Sequence, residues 1–99
     1  MAVWELRGFG PCLSEWIATD PTPHMRNLAV QWALSRSVDP YLEATRVTND
    51  GHPNRWIALV PVPPDCNDQV VAEYDIVEVE HAVECVGVTT IPASVLGNY

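Results

Sequence analysis

The sequence predicts an α+β fold: a short first strand, two helices, and a mainly antiparallel sheet of four to five strands packed against them (β-α-α-β-β-β-β). Three observations predict it. Thr22-Pro23 opens an amphipathic stretch as a helix start does, and residues 69–76 alternate apolar and polar with period two. Nine prolines then cut the chain between segments of these two kinds. At 99 residues the chain makes a single domain, 1–99, with an irregular tail from about residue 91.

Taken in order, residues 3–7 alternate, with Trp4 and Leu6 on one face and Glu5 and Arg7 on the other. Gly8-Phe9-Gly10-Pro11 breaks that strand, and a first helix is expected over 11–19 with Pro11 in its first turn. The second helix is expected over 23–37. Thr22 caps it, and Met25, Leu28, Ala29 and Trp32 fall on one stripe with Arg26 and Arg36 away from it. Asp39-Pro40 ends it, because a residue before proline avoids the α region.

Strands are expected over 43–48, 55–62, 69–76 and 82–90. The turn-rich stretch 49–54 joins the first two as a hairpin. Residues 55–62 are apolar on both faces and read as a central strand. In 69–76, Val70, Ala72, Tyr74 and Ile76 face one way and Glu73 and Asp75 the other. A turn over 77–81 leads into the last strand. Trp4, Trp32 and Trp56 sit on apolar faces and are assigned to the core; Trp16 has no such pattern.

Charge is distributed unevenly. The first 55 residues hold six acids and all five arginines, a net of −1; the remainder holds seven acids and no base, a net of −7. Nucleic-acid binding rests on neutralising phosphates with Lys and Arg, so the strand-rich half disfavours a polyanion and points to a basic protein or a neutral or cationic small molecule. The same balance disfavours an anionic membrane surface. No stretch reaches the ~20 apolar residues of a membrane span. Cys12, Cys66 and Cys85 are odd in number and lack zinc or redox spacing, which with the absence of a secretory signal pattern leads to the expectation of a cytoplasmic protein with reduced thiols. No His-x-His or Cys-x-x-Cys spacing calls for a metal, and no motif calls for a cofactor.

The segment Val70-Val71-Ala72-Glu73-Tyr74-Asp75-Ile76, a short turn, then Val83-Glu84-Cys85-Val86-Gly87-Val88 resembles the last two strands of the RelE/ParE-type toxins of bacterial toxin–antitoxin modules. In that family a tyrosine-acid-isoleucine step precedes a Val-rich last strand. The similarity covers residues 2–90 and implies a strand, two packed helices and a meandering sheet. Members that cut messenger RNA rely on basic residues on the sheet and just after the last strand. Here Thr89-Thr90-Ile91-Pro92 follows Val88, without a basic residue. The resemblance therefore implies a toxin-like fold whose activity is lost, replaced or exercised through protein binding, with an active ribonuclease toxin as the third reading, and no catalytic residue is carried over from it.

Among the residues themselves, Glu73 and Asp75 share a face, and Glu84 on the next strand lies near them. Clustered carboxylates serve acid–base chemistry, although a solvated sheet face carries them equally well. His81, beside Glu80 at the start of the last strand, is expected within reach of that acidic face, and Arg55 opens the neighbouring strand. Glu73, Asp75, His81 and Arg55 are accordingly the catalytic candidates of an enzyme reading. Tyr74, Glu84, Arg46 and Trp56 are the binding candidates: Trp is enriched at hot spots, and Arg46 is the other arginine of the sheet. An open sheet edge makes a homodimer an option.

Overall fold

In the computed structural model, which describes residues 3–48 and 51–92, Gly8 decides how the chain leaves its first strand. β1 spans Glu5–Arg7, and Gly8 at φ 74° turns it directly into α1, Phe9–Ile17. The helix thus starts two residues before the expected position, and Pro11 falls within the first turn, where no N–H partner is needed. α2 spans Pro23–Ser35, and the Thr22 hydroxyl accepts the Met25 N–H at 3.2 Å, a cap of about 1 kcal/mol. β2 (Ala44–Arg46), β3 (Arg55–Val60), β4 (Gln69–Val77), a 3₁₀ turn (Glu78–Glu80) and β5 (Ala82–Ile91) complete the chain. Asn49 and Asp50 of the expected hairpin loop, and the expected irregular tail after Pro92, lie outside the described residues.

The five strands form one sheet in the order β1-β5-β4-β3-β2. All neighbours are antiparallel except β1, which runs parallel to β5. β3 is therefore an interior strand, as expected of residues 55–62, while β4 is the middle one of the five. β3 lies second from the edge, and its Leu59 is 60% exposed, because the helices cover only one face of the sheet. Its two-sided apolar pattern comes from Ile57 and Leu59 on the uncovered face.

The helix-covered face supplies Val60, Val70, Ala72, Tyr74, Ile76 and Val83 to the core, against Phe9, Trp16, Met25, Ala29, Trp32 and Ala33. The alternation read in β4 holds residue by residue. Trp16, without a pattern in the sequence, is the most buried tryptophan, and its indole N–H donates to Thr90 Oγ1 at 2.8 Å. Trp4 and Trp56, assigned to the core, only border it.

Arg36 also departs from its expected place. It is buried beyond the end of α2, 4.9 Å over the Trp32 ring, and donates to the Leu42 carbonyl at 2.8 Å and the Tyr74 hydroxyl at 3.4 Å. The Tyr74 hydroxyl in turn donates to the Pro40 carbonyl at 2.8 Å. These bonds fasten the segment after α2 beneath the sheet, since a buried polar group left unpaired costs about 1–3 kcal/mol.

Candidate functional site

Strand register decides which of the chemically interesting residues meet. On the face away from the helices, Arg7, Glu84, Asp75 and Arg55 stand side by side across β1, β5, β4 and β3. Glu73 lies two residues from Asp75 on the same face, and Glu5 two residues from Arg7. Period two in each strand puts these charges on one surface, and the pairing of the strands sets them in a row.

Both arginines of that row are held by carboxylates. Arg55 donates from Nε to Asp75 Oδ1 at 2.7 Å and from Nη1 to Glu73 Oε2 at 2.5 Å, with its own side chain only 10% exposed. The hydrogen bond it donates to Asp75 is the largest cause of the upward shift in its pKa, against a desolvation cost that works the other way. Arg7 bridges Glu80 at 2.6 Å and Glu5 at 2.8 Å, and the bond to Glu80 leads the rise in its pKa. Glu84 is different. It is exposed, and it stands directly opposite Asp75, its own kind of charge. Among the described residues no cation bonds it. Like charges placed opposite each other across an antiparallel pair are destabilising.

The catalytic candidates thus divide. Glu73, Asp75 and Arg55 come together as the sequence implied, but as an ion-paired cluster on an open sheet face. His81 stands apart from the acidic row. Its ring stacks on Trp4 with centroids 4.0 Å apart and planes 22° off parallel, and its backbone takes a left-handed turn at φ 49° out of the 3₁₀ segment. Among the described residues no carboxylate pairs with it, and no three His, Cys, Asp or Glu side chains converge as metal ligands would.

Of the binding candidates, Tyr74 is fully buried and serves the core. Arg46 and Trp56 instead line a cleft of about 340 Å³ together with Tyr41, Ile76, Glu78 and Val79. Tyr41 carries no mark in the sequence, and Glu78 reads there only as a solvated acid of the 77–81 turn. Tyr41 packs edge-on against both Trp4 and Trp56, at 5.9 and 5.2 Å, and its hydroxyl donates to Glu78. Burial and then the Glu78 carboxylate push its pKa up to about 12. Arg46 donates to the Pro53 carbonyl at 2.9 Å. A row of rings, His81, Trp4, Tyr41 and Trp56, therefore runs below the strand ends, with the cleft at its far end.

No family model, no curated protein and no solved structure matches this chain. No helix among the described residues is long and apolar enough to cross a membrane.

Proposed function

We propose that this protein acts in the cytoplasm by binding a basic protein across its open sheet face, as a RelE/ParE-like toxin-fold member of a toxin–antitoxin-type pair without a ribonuclease site. The observation that carries the reading is Glu84, an exposed carboxylate set against Asp75 with both nearby arginines already engaged. A lysine or arginine delivered by a partner relieves a repulsion that the free protein bears. Binding thereby gains something that the isolated chain lacks. Around Glu84 the row carries Arg7 and Arg55 against Glu5, Glu73, Asp75, Glu80 and Glu84, a surplus of three negative charges. Such a surface steers a cationic partner and repels a phosphate backbone.

The test is fluorescence anisotropy with a labelled Lys/Arg-rich peptide and a labelled single-stranded RNA of equal length, across a salt series. The peptide is expected to bind saturably, more weakly as salt rises, with the RNA far behind. Glu84→Gln should weaken the peptide about two- to fivefold, the range of one exposed ion pair. Glu15→Gln removes the same charge from exposed α1 and should leave affinity nearly unchanged. Equal losses in the two variants, or tighter binding of RNA than of peptide, would overturn the proposal.

A second reading, a small enzyme or binder acting on a small molecule, has the cleft in its favour. Arg46, Trp56, Tyr41 and Glu78 give it aromatic walls with one charge of each sign. That site would sit at the strand ends and would use none of Glu73, Asp75 or Arg55.

A further inference from the structure

We propose that Cys12 and Cys85 form a redox modification site, a reversible intramolecular disulfide between α1 and β5 made when hydrogen peroxide oxidises the pair. The two residues are far apart in sequence, and two local features bring them together. The first is Gly8. A Cβ built on it would lie 3.1 Å from the Cys85 carbonyl oxygen, so the start of α1 touches β5 at Cys85. Cys12 sits one helical turn further on, with its N–H bonded to the Gly8 carbonyl at 3.1 Å, and so projects from the same side of the helix.

The second feature is a bulge in β5. Glu73 pairs with Gly87 while Tyr74 pairs with Cys85, which leaves Val86 as an extra residue. Bulges re-aim side chains. Here the bulge holds Cys85 on the helix-covered face, beside the core. Cys12 lies one turn along α1 from the Gly8–Cys85 contact, and its thiol is near enough to help raise the Cys85 pKa. Both are free thiols in this structure. Cys66 stands elsewhere, its sulfur 4.0 Å from the Asp68 carbonyl.

Access is asymmetric. Cys12 lines a cleft of about 370 Å³ together with Glu15, Trp16, Thr19, Val86 and Gly87, and Cys85 does not. Burial and the neighbouring thiol push the Cys85 pKa up, so this sulfur stays protonated and reacts second. The Cys12 thiolate attacks one peroxide oxygen; the S–O bond forms, the O–O bond breaks, and hydroxide leaves with the thiol's proton as water. Cys85 sulfur then attacks the Cys12 sulfenic acid; the S–S bond forms, the S–O bond breaks, and the Cys85 proton departs in a second water. Two thiols lose two electrons, and one peroxide becomes two waters.

The cross-link would fasten α1 to β5 and constrain the unfolded chain over most of its length. In a Cys66→Ser chain treated with hydrogen peroxide, intact mass should fall by two hydrogens, with no maleimide-reactive thiol left and the protein still monomeric. Dithiothreitol should restore both thiols. The oxidised form should melt about 10 °C or more above the reduced one. Peptide mapping of the oxidised unsubstituted chain provides an independent check and should show a Cys12–Cys85 cross-link. A product with two or three oxygens on Cys12 and a free Cys85, a covalent dimer, or a cross-link through Cys66 would each overturn the proposal.

Discussion

Tyr41 shows how a residue acquires a role that its sequence neighbourhood does not announce. It follows Pro40 in a connection between α2 and β2, where a tyrosine reads as a loop residue. Only the assembled sheet brings Trp4, Trp56 and Glu78 around it. Its neutral phenol is favoured in the folded state, where its pKa rises from 10.0 to about 12. The sign follows: a raised pKa contributes stability that is fully present below about pH 10 and is lost as pH climbs from there through about 12. Tyr41→Phe should therefore be less stable than the parent at neutral pH, because the bond to Glu78 is gone. Its stability should also fall less steeply than the parent's between pH 10 and pH 12. Urea midpoints measured across that range check it, and parallel alkaline slopes would refute the assignment. The Arg55 cluster was half legible by contrast. Period two placed Glu73 and Asp75 on one face, but the β3–β4 register that sets Arg55 against them follows from how the 61–68 connection closes, which composition does not reveal.

Elements were read best where backbone chemistry is local. Thr22-Pro23 named the first turn of α2 correctly, and the alternation of 69–76 named both faces of β4, because capping and period two are written into neighbouring residues. The start of α1 was misplaced for a reason that is tertiary: a left-handed glycine lets helix follow strand with no linker. The β5 bulge has one mark in the sequence, the isolated Gly87 beside Val86, and the valines around it hide the break in alternation. Two glycines two positions apart separate local from tertiary causes. Gly8→Ala has to hold a side chain at φ 74° and press a Cβ to 3.1 Å from a backbone oxygen that cannot rotate away, at a cost of about 1–3 kcal/mol. Gly10 has open space around it inside α1, so Gly10→Ala should stabilise by about 0.5–1 kcal/mol. Denaturant titration of the pair should give opposite signs. Two losses of similar size would mean that α1 does not rest on β5 through Gly8.

At the scale of the whole molecule the governing quantity is a net charge of −8 on a body measuring 40 × 30 × 21 Å. The Debye length shrinks from about 30 Å at 0.01 M salt to about 8 Å at 0.15 M, so at low salt carboxylates across most of the molecule repel one another, and at moderate salt only neighbours do. The opposing effect is loss of ion pairs. Those of Arg7 and Arg26 are exposed and contribute little, while those of Arg55 are more shielded and respond less to salt. Repulsion therefore outweighs attraction, and the melting temperature should rise by a few degrees as sodium chloride is raised through this range. Chloride is the appropriate anion, since sulfate stabilises through its exclusion from protein surface. Glu84 sharpens the test because its interactions with Asp75 and Arg7 act at short range. Glu84→Gln should melt close to the parent, because the repulsion from Asp75 that it relieves is offset by the attraction to Arg7 that it loses, while binding a basic peptide less well. A variant that loses both stability and binding would show that Glu84 supports the sheet, and the partner face would then have to be sought elsewhere on the molecule.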